Sequence, residues 1–315
     1  LLLAFKAIGL TNNDLVITPS YTFVATISSI RAAGGHPWLF DIQKSNLTLD
    51  LDQVERVLKN KTFKKKNHYY HKITKKKVFA IAPVYTNGFI CDYKRIYNLA
   101  KKYNLRIISD FAGSFLTLTK NNIVSKFSDV CIVSFNGNKS ITGGGGGCTL
   151  TNKKYIFDKI SSLATNATLK KKYHYKSLGY NFKITNLHSS IILGQLDRIN
   201  NIKKRIIEIN ECYNDYLIQK NLKCLKFNNS KEILWMNLLY FNNSKYMKKI
   251  IQKLSRKNIF AHNFWIPIHK QNINEKFLKE NLSITDYIFD KILVIPSSLF
   301  LKKKKIIDIC KIINN

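Results

Sequence analysis

Through its first two-thirds the chain alternates short apolar runs with stretches of helical periodicity, and this alternation restricts the fold more than any other feature. Short, largely apolar runs at 15–18, 37–41, 78–84, 106–109, 130–135 and 147–151 read as strands. Between them, the patterns near 23–33, 51–58 and 92–103 read as helices. Repetition of strand, helix and strand requires crossover connections, so the strands pair mainly in parallel beneath helices, an α/β architecture. The polar, lysine-rich segment 59–77 reads as an exposed loop inserted before the next strand. A long helical pattern runs from about 186 to 218, with Leu193, Leu196, Ile199 and Ile202 at helical spacing. After it the rhythm changes to strand-like pieces at 222–227, 233–240, 259–264 and 292–296, with a helix near 245–256. The expected division is a large domain over residues 1–204 and a smaller C-terminal α/β domain over 205–315.

The formal net charge of +33 raises the possibility of a nucleic-acid or anionic-membrane partner. Its makeup argues for a compositional cause. Of 52 basic residues only seven are arginine (Arg31, Arg56, Arg95, Arg106, Arg198, Arg205 and Arg256). Base and phosphate recognition favours the planar fork of arginine. Lysine, asparagine and isoleucine share A/T-rich codons and are all in excess here. The clusters at 64–66, 75–77 and 302–305 therefore read as solvated surface, and a basic nucleic-acid-binding protein is the disfavoured alternative. No apolar run approaches the roughly 18 residues of a bilayer-spanning helix, so no membrane partner is expected. The opening LLLAFKAIGL has no basic n-region and reads as the end of an amphipathic helix closed by Gly9, as if the chain starts mid-motif. Six scattered cysteines without a CxxC pair offer neither metal-ligand spacing nor a disulfide framework. Reduced thiols in a cytoplasmic, metal-free protein are the expectation.

Five consecutive glycines, 143–147, begin four positions after Lys139 in a chain with 13 glycines in all. A phosphate loop requires its glycines before the lysine and a helix after it; here the order is reversed and a strand follows. The run reads either as a flexible linker or as a tight connection close to a ligand, and its position between two strands favours the second. A lysine at a strand end, if desolvated, has a lowered pKa, and its neutral amine can form a Schiff base with a carbonyl.

The stretch SFNGNKSITGGGGG (134–147) resembles the Schiff-base segment of the DegT/StrS family of nucleotide-sugar aminotransferases. Further matches follow in family order: TPSYTFVATISSIRAAGGHPWLFDI (18–42), APVYTNGFICD (82–92), LAKKYNLRIISDFAGSF (99–115), LGYNFKITNLHSSIILGQLDRI (178–199), WIPIHKQ (265–271) and IPSS (295–298). The likeness is closest to the branch acting on UDP-linked 4-keto-6-deoxy sugars. It implies the fold type I of pyridoxal 5'-phosphate enzymes: a large domain with a mainly parallel mixed sheet plus a smaller C-terminal α/β domain. Lys139 would be the cofactor lysine and the proton-transferring base. Asp110 would pair with the pyridine nitrogen, Phe23 would stack on the cofactor ring, and Ser134 would bind its phosphate. Asn181 would reach the phosphate from a partner subunit, which implies a homodimer with shared sites. His269, in WIPIHKQ, would touch the sugar nucleotide. Each has a structural alternative: Asp110 as a helix cap, Phe23 as core, Ser134 as an ordinary strand residue, Asn181 as a turn residue, and His269 as a satisfied histidine of the small domain.

The resemblance implies transamination of a nucleotide-linked 4-keto-6-deoxy sugar, with glutamate as amino donor, for surface polysaccharide or glycan precursors. The dehydratase branch replaces the lysine with histidine, so Lys139 favours transamination. Several positions depart from the family pattern. Gly113 replaces a polar residue, Tyr85 a histidine, Lys183 an arginine and His188 a glutamine. The family's Ser-Gly-Thr-type phosphate loop would precede Leu1. These departures motivate the alternative of a catalytically weakened or inactive remnant that keeps the fold and the dimer.

Overall fold

The computed structural model describes residues 1–120, 122–169, 171, 173–217, 222–224, 232–273 and 275–314. Strand β1 (Asp14–Pro19) is buried at all six positions, as expected of a strand covered on both faces. The strands that follow it are β2 (His36–Phe40), β3 (Thr62–Lys65), β4 (His68–His71), β5 (Lys77–Ile81), β6 (Arg106–Asp110), β7 (Val130–Ser134) and β8 (Gly147–Leu150). Among the described residues they form, with a later strand, a nine-stranded mixed sheet whose central order is β2-β1-β5-β6-β7-β8. The pairs from β2 through β7 are parallel, and β8 returns antiparallel on β7.

Alternation along the strands builds two cores. Leu15 and Ile17 face α3 (Leu51–Lys61) and α4 (Tyr93–Tyr103), reached through Val54, Leu58, Ile96 and Leu99. Val16 and Ile108 face the opposite layer of α1 (Leu2–Ala7), α2 (Val24–Ala32) and α6 (Lys154–Ala164). Helix α5 is Phe115–Lys120. The helical pattern expected over 186–218 is two helices, α7 (Asn186–Leu196) and α8 (Ile199–Tyr216). The break lets Ile192, Leu196, Ile199, Ile202 and Ile206 all reach the same core.

The second sheet is antiparallel, in the order β11-β13-β10-β9, from β9 (Leu222–Cys224), β10 (Asn237–Phe241), β11 (His262–Asn263) and β13 (Ile292–Ile295). One face packs on α8, α9 (Ser244–Ser255) and α11 (Lys303–Asn314). The other face, through Leu238, Tyr240 and Ile292, meets Tyr21, Ile42 and Leu47 of the first sheet's layer. Helix α10 is Ser283–Ile288. Strand β12 (Leu278–Lys279) leaves this sheet and pairs in parallel with β2. Around it, Glu280 accepts from Trp38 Nε1 at 3.1 Å, and Asp41 accepts from the Ile284 and Thr285 amides at 2.8 Å.

The expected loop at 59–77 is instead the β3–β4 hairpin, with β4 paired antiparallel on β5. Lys64 stands across from Tyr69 and Phe63 across from Tyr70, and the Phe63 and Tyr70 rings stack at 5.8 Å. Within the 75–77 cluster, Lys77 is not merely solvated: its Nζ lies 3.1 Å from the buried Asp14 carboxylate. The lysines at 303–305 open α11, whose Ile306, Ile309, Cys310 and Ile313 are buried at helical spacing. Part of the strand expected at 222–227 lies outside the described residues. No helix among the described residues is long and apolar enough to cross a membrane.

Candidate active site

The C-terminal ends of parallel strands carry exposed backbone groups and loops, and in open α/β sheets ligands bind there. Here the ends of β6 and β7 converge on a cavity of about 480 Å³, whose lining includes Phe23, Ser134, Asn138, Lys139, Trp235 and Trp265. Lys139 rides on the loop between β7 and β8. That loop is closed by Phe135 N donating to Gly146 O at 3.0 Å and Gly143 N donating to Phe135 O at 2.9 Å. Gln195 of α7 accepts from Thr142 N at 3.1 Å. The glycine run allows this closeness. Gly146 has φ +92°, and a Cβ there would stand 2.6 Å from Ile184 Cδ1. A Cβ on Gly147 would stand 2.5 Å from Val133 O. The run is a tight connection pressed against its neighbours.

Burial lowers the Lys139 pKa from 10.5 to about 8, while the charge of Asp110 pulls the other way. Its ammonium nitrogen lies 3.6 Å from the centroid of the Trp235 ring. Asp110 ends β6 and is buried. Its two oxygens accept from Thr26 Oγ1 and from the Ala112 amide, both at 2.9 Å. These two donors satisfy a carboxylate that would be costly to bury alone. Phe23 stands at the start of α2 and is 57% exposed, an apolar ring open to the cavity and not part of the core. It tilts toward Trp265 at 6.3 Å, and Trp265 stacks on Phe264 at 4.3 Å. Ser134 ends β7, and its Oγ accepts from Asn136 N at 3.3 Å.

Lys139, Phe23 and Ser134 thus line one cavity, with Asp110 close enough beneath to act on the lysine electrostatically. Asn181 and His269 do not line it. Asn181 is exposed in a bridge with Thr165 on the outer surface. His269 has both ring nitrogens engaged, Nδ1 with Ser20 Oγ at 2.7 Å and Nε2 with Asp286 at 2.9 Å, and its side chain is buried. Of the departing positions, Tyr85 lies in the core, stacked on Phe111 at 3.8 Å, and Gly113 faces Trp235. Lys183 is exposed, and His188 bonds Thr185 Oγ1 at 2.6 Å at the start of α7.

Sequence reasoning missed Trp235 and Trp265 as cavity residues. Trp265 opens the WIPIHKQ stretch and had that signal, whereas Trp235 sits in a run that reads only as a strand. The strand expected at 233–240 begins only at Asn237, and residues 232–236 are a strap bonded to Ile90, Thr117 and Asn87. Trp235 N donates to Asn87 O at 3.1 Å, Met236 N donates to Asn87 Oδ1 at 2.8 Å, and Asn87 Nδ2 donates to Met236 O at 2.9 Å.

A family description, the DegT/DnrJ/EryC1/StrS aminotransferase family, matches residues 1–314. The chain belongs to that family. The aminotransferase is similar to GDP-perosamine synthase of Escherichia coli, 28% identical over 99% of this chain and 81% of that protein. It is similar also to UDP-4-amino-4,6-dideoxy-N-acetyl-beta-L-altrosamine transaminase of Campylobacter jejuni, 27% identical over 93% of this chain and 76% of that one. Among solved structures, NtdA of Bacillus subtilis with bound cofactor PMP superposes with a TM-score of 0.82 at 20% identity, covering 100% of this chain and 71% of that one. The fold is therefore that of pyridoxal-phosphate-dependent aminotransferases.

The residues present fit that cofactor. A lysine with a lowered pKa suits an aldehyde, and a buried carboxylate suits a protonated ring nitrogen. The Phe23 and Trp265 rings offer flat apolar surface, and Ser134 offers a hydroxyl. Among the described residues no cluster of three or more metal-ligating side chains occurs.

Proposed function

We propose that the aminotransferase moves an amino group from glutamate, by way of pyridoxal 5'-phosphate, to the 4-keto carbon of a nucleotide-linked 6-deoxy sugar. The observation that carries this reading is Lys139, whose amine, with a pKa lowered to about 8, faces a cavity above the buried Asp110. The relatives' names support the substrate class, since one prints a GDP sugar and the other a 4-amino-4,6-dideoxy sugar on UDP.

When bound, the cofactor supplies an aldehyde for amine exchange and an electron-withdrawing ring. Lys139 Nζ would take a proton from the donor's α-carbon and return one to the sugar's C4. Asp110 would hold negative charge against the ring nitrogen, keeping it protonated. Phe23 and Trp265 would shelter the flat ring from water, and the Ser134 hydroxyl would donate to the phosphate. The active unit in this reading is a homodimer. Asn181 is flanked by Leu178 and Phe182, which are 97% and 56% exposed, and this apolar surface would carry Asn181 to the partner's cavity. His269 would hold the wall near the substrate through Ser20, short of touching it. The reaction belongs in the cytoplasm, where buried thiols such as Cys91 and Cys131 stay reduced.

The test begins with pyridoxal 5'-phosphate added to the purified protein. An absorbance band at the violet edge is expected, and Lys139→Ala should abolish it. Glutamate should then bleach the band with release of 2-oxoglutarate, and a UDP- or GDP-linked 4-keto-6-deoxy sugar should restore it while gaining an amine by mass. A wild-type protein that gives no band, or a band that survives Lys139→Ala, overturns the reading.

A further inference from the structure

Two large cavities open on Lys139, besides a small crevice at Gly113. Besides the chamber described above, a second of about 490 Å³ lies between the 137–140 turn and the second sheet, lined by Trp235, Phe260, His262, Ser297 and Phe300. Both chambers are lined by Lys139 and Trp235. A lysine side chain has four rotatable carbons, so nothing in its own chemistry confines its amine to the first chamber. The Trp235 indole lies at the boundary. Its backbone is fixed to Asn87, and its ring edge donates from Nε1 to Asn138 O at 2.9 Å, on the residue next to Lys139. The six-membered ring of the indole needs open space: a Cβ on Gly113 would stand 3.1 Å from indole Cε3.

We infer that Trp235 is a positioning residue for Lys139. Its indole face seats the free ammonium at the boundary between the chambers, and the space that Gly113 leaves open gives the indole its room. A cation over a desolvated indole face is attracted by the ring quadrupole, and the distance here is 3.6 Å. The charged group that acts on the seated ammonium is Asp110. The inference rests on the reading of Lys139 as the cofactor lysine, but its test does not need cofactor.

Trace acetic anhydride labelling of the ligand-free protein across pH, read by peptide mass spectrometry, gives the titration midpoint of Lys139 itself. Lys154, whose side chain is 87% exposed, is the internal reference. The wild-type midpoint should lie near 8. Trp235→Phe keeps an aromatic face and should hold the midpoint within about half a unit. Trp235→Leu keeps the site apolar but removes the quadrupole, and its midpoint should fall by about one unit. A leucine-variant midpoint that is unchanged, or that rises toward the ordinary lysine range, overturns the inference. Should that variant lose its native circular dichroism, Gly113→Ala decides. Its methyl pushes on the indole and should lower the midpoint by a few tenths of a unit, and a rise overturns the inference. Borohydride trapping of pyridoxal 5'-phosphate separates the two claims. A label away from Lys139 would sink the cofactor reading and leave the titration to judge the seat.

Discussion

Lys139 is held in a place that costs stability. Its folded pKa, about 8, lies below the ordinary 10.5, so burial of the ammonium opposes folding wherever the amine is charged in both states. That cost is fully present below pH 8, shrinks between 8 and 10.5, and is gone above. The interval corresponds to about 1–3 kcal/mol once partial exposure is allowed for. Lys139→Met should therefore raise the melting temperature at pH 7 by several degrees and confer no gain near pH 11, measured by calorimetry at both pH values. Cofactor capture by the wild type should speed up as pH rises through 8, as the neutral amine accumulates. At this scale the sequence was legible where a residue type announces chemistry. A lysine beside a glycine run and an aspartate ending an apolar strand could be read directly. Trp235 could not, because its part in the cavity depends on a strap crossing from the second sheet's side of the chain. His269 shows the converse: a residue in a suggestive motif whose ring is used up by Ser20 and Asp286.

The strap over residues 232–236 is tied to its neighbours through Ile90, Thr117, Asn138 and Asn87, and Asn87 carries the most bonds. It adopts φ 55°, in the left-handed region, and its side chain makes two hydrogen bonds to Met236. Beside it, a Cβ on Gly88 would stand 2.1 Å from Ile233 O. Asn87→Ala should cost roughly 2 kcal/mol through the lost bonds and the strained φ. It should also loosen the strap at Trp235 and Met236, so that tryptophan emission shifts to the red before global unfolding; an unchanged emission maximum would refute this. The parallel strands of the first sheet's centre were readable in sequence because each is a short apolar run between helical patterns. The β3–β4 hairpin was hidden by its run of lysines, because Lys64 pairs with Tyr69 and Lys65 with His68, leaving no clean alternation of apolar and polar faces. The α7–α8 break was hidden because both helices keep apolar spacing toward one core. Strand β12 is two residues long and leaves no periodic signal.

On the scale of the whole molecule, large apolar side chains of α6, α7 and the segment between them stay in water. Phe157, Leu178, Leu187 and Leu193 are 60%, 97%, 71% and 61% exposed. Exposure on this scale marks an association surface in a soluble protein. The expected outcome is a dimer in sedimentation equilibrium, with Leu178→Asp combined with Leu187→Asp giving monomers that bind pyridoxal 5'-phosphate at least tenfold more weakly. A wild type that sediments as a monomer at micromolar concentration would remove the shared-site arrangement. The pairing of Leu278 with Trp38 also has a bearing on synthesis. As the chain leaves the ribosome, β2 is completed early, yet its outer edge has no partner until residues beyond 277 emerge. Until then the nascent protein presents an open strand edge, the kind of surface that recruits another chain or a chaperone. Translation of the second sheet's residues is in this sense part of folding the first, and a ribosome that pauses in between leaves the first sheet unfinished.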